Sequence, residues 1–496
     1  MKKIVGLILL VFLSFGVHAS HIMGGEITWE CIKDPLDPDV GKYIFTMKLY
    51  RDCDGISLPT TNQTLNVWNH PTVTTISLQF ISNTDISPDC DVTNSGNPAL
   101  DCFTNPVGAV EEYIYQSLPI ALIGAPPISN PPTPTTHGWH FTWDSCCRNG
   151  AIVNLATPSS DGFTMRASMF AYVDPLGNST PTDPCFDSSP IFNESPKTII
   201  CTGYPFSYTH NASDQEMDSL VYSWDEPLDD FFGAYNPPVT PGLLTYTPPY
   251  TANNPLPGNP TLNSQNGQIS YTSNLSGNFV TVVRVDAYKC DQLVAQIYRE
   301  IQAVLIACPP LAGGNANLPP NIPAPFPAPT PYYTTVAAGT LVSFNISASD
   351  ADLYAAGVPQ DVSLEITGGQ MAGDFITTTD CVSPPCATFT DNLGNPPPFS
   401  SPSIVNGIFE WQTACTHIAS DAGCGNVSNI YNFAIKAYDD FCPANAITFA
   451  TITIEVTQAA SLPAPDLKCV FVNGNGDVTL DWNHTVGANN STLYHL

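Results

Sequence analysis

Short runs of alternating apolar and polar residues recur along most of this chain. Residues 43–50 (YIFTMKLY) and 163–172 (FTMRASMFAY) are two of seven such runs within residues 20–200. Alternation with a period of two is the pattern of a half-buried β-strand. Turn-forming dipeptides such as Asp54-Gly55 and Asn149-Gly150 separate the runs. Residues 20–200 are therefore predicted to form a β-sandwich.

One phrase of this pattern occurs twice. Residues 206–220 read FSYTHNASDQEMDSL, and residues 341–353 read LVSFNISASDADL. In both, an alternating run ends in Ala-Ser-Asp. A second pair of similar segments, residues 278–306 and 431–456, follows at the end of each repeat. Repeated phrases of this kind indicate repeated domains. They predict two related sandwiches, at 201–308 and 332–457, each with the Ala-Ser-Asp phrase as a strand end and the turn after it.

The remaining segments differ in character. Residues 309–331 are rich in proline, which predicts an extended, semi-rigid linker. Residues 464–496 carry two alternating runs across NGNGD, like the first hairpin of a fibronectin type III domain, which needs about 100 residues. We therefore expect this domain to be incomplete and the chain to be cut from a longer protein. Residues 1–19 have two lysines, an apolar run and a small-residue cleavage site, which predict a secretory signal peptide.

The amino-acid composition limits which fold classes and which kinds of binding partner are expected. The 48 prolines among 496 residues oppose long helices, while 43% apolar residues are enough to form cores. A net charge of −30 disfavours nucleic acid and anionic membranes. After the signal sequence, no apolar stretch is long enough for a transmembrane helix. These features predict an exported, all-β protein.

The 16 cysteines of an exported chain predict a disulfide framework. The sequence does not give the connectivity. The neighbours Cys146 and Cys147 are candidates to bridge to different strands, and Cys381 and Cys386 are candidates to close a small loop.

Several phrases together resemble a known group of proteins. They are HIMGGEITWEC, LYRDCDG, CCRNG, SPIFNESP, SDxxxDSLVYSW, FEWQTAC and YDDFCP. The chain resembles large exported, gliding-motility-associated proteins of gliding Bacteroidetes. The resemblance implies tandem Ig-like, PKD-like and cadherin-like β-sandwiches, a fibronectin type III module and export by type IX secretion machinery. It also implies display at the cell surface or release, adhesion and gliding motility.

Acidic residues cluster in the repeated phrases and on the strands that close the units. Calcium prefers six to eight oxygen ligands, and cadherin-like modules, which these segments resemble, collect such ligands from loops at one end of a sandwich. The alternative is that these carboxylates accept turn hydrogen bonds or are solvated. The candidate calcium ligands are Asp214, Glu216, Asp218, Asp286, Asp350, Asp352, Asp439 and Asp440.

The sequence also bears on catalytic, copper-binding and sugar-binding sites. The chain contains neither GxSxG nor HExxH, and no catalytic pair is nominated. A copper-binding histidine brace would need His21 at the mature N-terminus together with His137 or His140. A sugar-stacking surface would need exposed aromatic side chains, and Phe231, Phe232 and Tyr235 form the most exposed-looking group. Further aromatic candidates are Trp68, Trp139, Trp143, Tyr332 and Tyr333.

The favoured interpretation is a non-catalytic, modular surface or secreted protein that serves in adhesion or as a structural spacer. Its expected partners are extracellular glycans or cell-surface proteins. The alternatives are a carbohydrate-binding component of a secreted polysaccharide-degrading system, or the non-catalytic part of a larger secreted enzyme. No cofactor is required by this interpretation, apart from the candidate calcium ions.

Overall fold

The computed structural model describes residues 22–173, 185–196, 199–311, 314–418, 428–458, 467–472 and 478–482. The predicted signal peptide, residues 1–19, lies outside the described residues. Throughout the described part the chain is nearly all-β. Its helical segments are one short α-helix, α1 (Val92–Ser95), and single 3-10 turns at Pro158–Ser160, Ala355–Gly357 and Cys415–His417.

The first eleven strands cover the region up to the first copy of the repeated phrase. They are β1 (Ile22–Cys31), β2 (Tyr43–Asp52), β3 (Gln63–Trp68), β4 (Thr75–Asp85), β5 (Val110–Ser117), β6 (Trp139–Cys146), β7 (Gly162–Met169), β8 (Ile191–Phe192), β9 (Ile199–Cys201), β10 (Pro205–Thr209) and β11 (Ala212–Ser213).

Fifteen further strands follow. They are β12 (Ser219–Trp224), β13 (Thr261–Leu262), β14 (Gln268–Thr272), β15 (Gly277–Lys289), β16 (Gln292–Ile306), β17 (Tyr333–Ala337), β18 (Leu341–Ser349), β19 (Asp361–Thr367), β20 (Thr388–Thr390), β21 (Phe399–Pro402), β22 (Ile404–Gln412), β23 (Ser428–Tyr438), β24 (Ile447–Thr457), β25 (Leu467–Val472) and β26 (Val478–Trp482).

Eleven strands form one large sheet in the order β1-β2-β5-β4-β3-β6-β7-β16-β15-β12, with β9 also paired to β16. Strand β16 pairs with both β7 and β1, so the hydrogen-bonded ladder returns to its first strand. The sequence pattern predicts separate sandwiches over 20–200 and 201–308, whereas in the structure strands from both regions share this sheet. Alternation along a strand identifies its buried face but not its partner strand. The sequence pattern therefore could not predict that strands of the two regions pair in one sheet.

The second repeat forms a sandwich of a five-stranded sheet, β17-β24-β23-β19-β21, and a three-stranded sheet, β18-β22-β20. Its core includes Trp411, Phe409 and Phe433, and the Phe433 ring contacts the other two rings. The predicted linker contributes Ile322 to this core, and the Phe326 ring packs on Phe344. Part of the proline-rich segment therefore lies against the sandwich instead of spanning free solvent.

We call the described residues from 22 to 308, around the large sheet, the first unit, and the sandwich of the second repeat the second unit. The two units are joined by more than the connecting chain. A disulfide links Cys90 of the first unit to Cys442 of the second. The Ser207 hydroxyl donates to the carbonyl oxygen of Phe449 (3.0 Å) and accepts from its amide (3.1 Å). Phe449 and Ile447 are buried in the same hydrophobic cluster as the large sheet. The interface is therefore continuous with the first core.

The disulfide framework predicted from the cysteine count is present. Cys381 and Cys386 close the small loop predicted for them. The interpretation of Cys146 and Cys147 is wrong, because these neighbours pair with each other; spacing alone does not assign partners. The other described pairs are Cys31–Cys185, Cys53–Cys102 and Cys201–Cys308.

The hairpin predicted near the C-terminus is also present, as antiparallel strands β25 and β26. Its assignment to a fibronectin type III domain stays a prediction.

Candidate functional site

The first copy of the repeated phrase forms a tight turn directly after β11. One carboxylate oxygen of Asp214 accepts from the amides of Glu216 (2.9 Å) and Asp218 (3.0 Å). Met217, between these two residues, has a φ of 62°, in the left-handed region. An aspartate that accepts from amides two residues ahead or further is a common way to build such a turn. The turn directs several acidic side chains to one place.

A fourth carboxylate, Asp187, reaches this turn from a segment far away in sequence. Carboxylate oxygens of Asp187, Asp214 and Glu216 all lie within 4.8 Å of one another. Asp187 is fully buried, Asp214 is 6% exposed and Asp218 is 6% exposed. We call Asp187, Asp214, Glu216 and Asp218 the acidic cluster. Sequence analysis missed Asp187, since nothing in its local sequence, FDSSP, marks it as a ligand.

Several oxygens of the acidic cluster have no hydrogen-bond partner among the described residues. Both oxygens of Asp187 and one each of Asp214, Glu216 and Asp218 are buried in this state. A buried carboxylate without a partner is costly, because it loses its hydration without compensation. Bound cations or protons would therefore stabilise the acidic cluster by neutralising its buried carboxylates.

Two lysines provide part of the compensating charge. The Lys289 ammonium lies 3.1 Å from an oxygen of Asp218 and 3.7 Å from one of Asp187. It also donates to the carbonyl oxygen of Phe186 (2.8 Å). Lys33 forms an ion pair with Glu216 at the edge of the cluster. Four carboxylates and two ammonium groups leave two negative charges uncompensated when all six groups are ionised.

The pKa values reflect this excess. Burial, followed by the neighbouring carboxylates, raises the pKa of Asp187 and of Asp214 well above the ordinary value, although Lys289 acts in the opposite direction. Burial also raises the pKa of Asp218. Burial alone would lower the pKa of Lys289, but Asp187 and Asp218 outweigh it and raise that pKa. The Lys289 ammonium therefore stays charged, while the charge of two of the four carboxylates is not compensated.

These residues fit a divalent cation that prefers oxygen. Asp187, Asp214 and Glu216 would supply carboxylate oxygens, which are hard ligands suited to Ca²⁺. The two uncompensated negative charges match the charge of such an ion. What the ion would supply is neutralisation of buried carboxylates, and with it stability of the turn.

The second copy repeats the turn but not the cluster. One oxygen of Asp350 accepts from the Asp352 amide (2.8 Å), as in the first copy, and its other oxygen is buried without a hydrogen-bond partner. One oxygen of Asp352 accepts from the Leu318 amide (2.7 Å). No group of three carboxylates there comes as close as in the first copy, within the described ranges.

Asp439 is the buried member of the second group, and its oxygens are occupied. They accept from the amides of Phe441 (3.1 Å) and Ala446 (2.9 Å) and from the side-chain amide of Asn317 (2.6 Å). Asp440 accepts from the Tyr354 hydroxyl (2.8 Å). We call Asp350, Asp352, Asp439 and Asp440 the second aspartate group. It corresponds to the alternative interpretation, in which the carboxylates serve as acceptors in turns and loops.

Asp286 belongs to neither group. Arg284 binds it at 3.0 Å and the Gln296 side-chain amide donates to it at 2.9 Å. Both partners lie on the hairpin of β15 and β16, so Asp286 is part of a cross-strand network.

The aromatic candidates divide into buried and exposed members. The Trp68 ring contacts Phe231 (5.7 Å between centroids) and Tyr235 (6.4 Å). Phe232 is 95% exposed, as predicted, but Tyr235 is only 5% exposed. The expectation that Tyr235 is a surface residue is therefore wrong, because its ring packs against Trp68 and His140. Trp139 is buried in the core.

The residues proposed for a histidine brace are only partly described. His21 lies outside the described residues. His140 is buried, and one ring nitrogen lies 2.7 Å from the Ser168 hydroxyl. Burial lowers the pKa of His140 to about 4. His137 accepts from the Ser129 amide (3.1 Å) through a ring nitrogen.

Comparison with known proteins adds little to this geometry. No protein-family model and no curated protein matches the chain. Among solved structures, the chain is similar to one chain of the complex of Dpr2 Ig1–Ig2 with DIP-Theta Ig1–Ig3, with 12% identity over 54% of this chain and 99% of that one, at a TM-score of 0.19. The zebrafish RET cadherin-like domains 1 to 4 share 7% identity over 82% of this chain and 75% of that one, with a TM-score of 0.14.

The four N-terminal Ig domains of Dscam1 isoform 4.44 share 10% identity over 88% of this chain and 92% of that one, with a TM-score of 0.13. Scores this low carry no argument about fold or function. The all-β assignment rests on the strand pairing described above. Within the described part of the chain, no helix has the length and apolarity of a membrane span.

Proposed function

We propose that this chain is a non-catalytic, modular extracellular protein that acts as a stiff spacer and adhesive surface. The observation that carries the proposal is the joint between the two units. A disulfide, Cys90–Cys442, crosses it, and residues of the second sandwich are buried in the first core. Modules linked only by a flexible chain would hold no fixed angle, because relative domain motion is the default where interfaces are small.

Polar contacts at a second place along the joint support the same conclusion. The Asn211 side-chain amide donates to the Thr367 hydroxyl (3.0 Å), and that hydroxyl donates to Glu194 (2.6 Å). Asn445 donates to the carbonyl oxygen of Asp89 (2.9 Å), near the disulfide. Contacts at separated points resist rotation better than a single one. The disulfides are also typical of proteins outside the reducing cytoplasm.

Calcium is the second part of the proposal. The acidic cluster stands beside the turn of the repeated phrase, and occupancy by Ca²⁺ would stabilise the first unit. The resemblance to exported proteins of gliding Bacteroidetes adds the finer hypothesis of a role in gliding. Loss of colony spreading after deletion of the gene in a gliding host would support this role, and normal spreading would contradict it.

Small-angle X-ray scattering on the oxidised full chain tests the stiff joint. We expect the scattering curve to match the compact arrangement of the two units. The double variant Cys90→Ser/Cys442→Ser should keep this curve if the buried interface suffices, and should broaden its distance distribution if the disulfide is required. A wild-type curve that fits only a broad range of angles between units would overturn the proposal.

A further inference from the structure

A groove of about 290 Å³ lies where the two units meet. One wall is the turn between β13 and β14 of the first unit. The opposite wall comes from the start of β17 and from β23 and β24 of the second sandwich. The residues that matter most for its chemistry are Asn263, Gln265, Asn266, Tyr332, Tyr333 and Asn432.

The turn presents hydrogen-bond donors to this groove. The side-chain oxygen of Asn263 accepts from the Gln265 amide (2.9 Å), and that of Asn266 accepts from the Gln268 amide (3.1 Å). Each bond fixes its asparagine with the oxygen toward the backbone, which leaves the NH₂ group for a ligand. The Gln265 side chain is exposed and adds both a donor and an acceptor.

The opposite wall presents two tyrosines with fixed rings. The Tyr332 hydroxyl donates to the carbonyl oxygen of Ile322 (3.1 Å), and the Tyr333 hydroxyl donates to Glu455. With both hydroxyls engaged, the rings contribute mainly aromatic surface to the groove, and part of the Tyr332 ring packs against the second core. Pro331 and Ile430 add apolar surface beside them. Aromatic faces suit the C–H faces of a sugar ring, because their π electrons attract positively polarised hydrogens.

The charge of the groove selects among polar ligands. The described residues that line it include no lysine, arginine or histidine. Glu455 is adjacent, and the chain as a whole carries a net charge of −30. Anionic ligands would be repelled and would find no cationic partner. The ligand that fits is uncharged and rich in hydroxyl groups.

The two walls are held together before any ligand binds. The Asn432 side-chain amide donates to the carbonyl oxygen of Gln265 (3.2 Å), and the Thr451 hydroxyl donates to Gln268 (3.2 Å). A preformed groove avoids the entropic cost of ordering its walls. The volume lies just below the usual range for ligand sites, about 300–1,000 Å³.

From these features we propose that the groove between the units binds a neutral oligosaccharide. The inference deepens the proposed adhesive role by naming the class of ligand, and it rests on that function only in placing the protein where glycans occur. Binding depends on both units, because each contributes one wall.

The test uses the oxidised full chain and isothermal titration calorimetry. Neutral gluco-, manno- and galacto-oligosaccharides are compared with uronate-containing oligosaccharides. We expect at least one neutral series to bind and the uronates not to bind. Asn263→Ala and Gln265→Ala should each weaken binding about tenfold, the equivalent of about 1.4 kcal/mol. Tyr333→Ala should abolish binding, while Tyr333→Phe, which keeps the ring face, should retain most of it.

Asn62→Ala is the matched control, since Asn62 is an exposed loop asparagine remote from the groove lining. It should bind like the wild type. Absence of binding to every neutral series, preference for uronates, or unchanged affinity in Asn263→Ala and Gln265→Ala would each overturn the inference. Scattering curves measured on the same samples keep this outcome separate from failure of the stiff joint.

Discussion

The two copies of the Ala-Ser-Asp phrase form the same turn and then diverge. In both, the aspartate accepts from an amide two residues ahead, and in both it lies near enough to the charged residue at the end of the closing strand for the two charges to interact. When the two closing strands are aligned on their shared Ala-Tyr pair, the next residue is Lys289 in the first copy and Asp439 in the second. A positive group therefore faces the first turn, and a negative group faces the second.

The replacement of Lys289 by Asp439 explains why the carboxylates of the two copies have different partners. Around Lys289, Asp187 and Asp218 are buried with Asp214, and Glu216 is half-buried beside them, so the cluster carries more negative charge than the lysines neutralise. Around Asp439, three hydrogen-bond donors replace the missing cation, while Asp350, Asp352 and Asp440 keep partial access to water. The same backbone turn thus supports two ways of burying a charge, one by counter-ions and one by hydrogen bonds.

Removal of the lysine should have the largest effect on this comparison. Lys289→Met should lower the free energy of unfolding by about 3–5 kcal/mol, as for a buried pair that loses one partner. Saturating Ca²⁺ should restore part of the loss, because the vacated charge can be supplied by the ion. Chemical denaturation with and without Ca²⁺ measures both quantities.

Lys436→Met is the matched control for this variant, since Lys436 is a nearly buried lysine on the closing strand of the second repeat, paired with Glu365. Its cost should not respond to Ca²⁺. Equal rescue of both variants would show that the ion acts elsewhere.

Removal of the Asp439 carboxylate should lower the free energy of unfolding nearly as much as Lys289→Met, but the loss should not depend on Ca²⁺. Asp439→Ala deprives the Phe441 and Ala446 amides and the Asn317 side chain of their acceptor. Buried donors left unpaired cost about 1–3 kcal/mol each, and partial relaxation should leave a total of about 3 kcal/mol. Thermal melting in Ca²⁺ and in chelator should give the same loss. Recovery in Ca²⁺ would contradict the contrast between the copies.

The sequence predicted the repeated turn and the strands around it, because alternation and Asx turns are local properties. It named Asp214, Glu216 and Asp218, which do come together. It could not identify Asp187 or Lys289 as their partners, since both arrive through pairing between distant segments. Candidate ligands were predicted in both copies, whereas the structure separates them through Lys289 and Asp187 in the first copy and the hydrogen bonds of Asp439 in the second. Likewise, Asp286 has an acidic side chain on the expected strand but faces a different network.

The calcium effect itself should map to the first copy. At a Ca²⁺ concentration one hundred times the dissociation constant, binding should add about 2.7 kcal/mol to the free energy of unfolding. For a unit of this size that corresponds to about 5–10 °C in melting temperature. Asp187→Asn should abolish the shift, and Asp350→Asn should preserve it. If Asp350→Asn alone removed the shift, Ca²⁺ would bind at the second copy and not at the first.

The smallest effect concerns pH. Asp187 and Asp214 have folded-state pKa values raised above the ordinary 3.8, so without the ion their contribution to stability is complete below that value and is lost as pH rises. Asp350, with a pKa of about 6, contributes in the same direction between about pH 4 and pH 6. Since Ca²⁺ binds deprotonated carboxylates, its effect should increase with pH while that of protons declines.

Melting curves in Ca²⁺ and in chelator at about pH 5 and about pH 7.5 measure this competition. The difference in stability between Ca²⁺ and chelator, which we call the gap, should be larger at the higher pH. It should grow by about 1.4 kcal/mol for each unit of pH over which one ligand must lose a proton. Asp187→Asn should remove the gap at both pH values, whereas Asp350→Asn should leave it and flatten only the pH dependence in chelator. A gap of the same width at both pH values would mean that the ion does not displace protons from the acidic cluster. The difference between the copies would then rest on Lys289 alone.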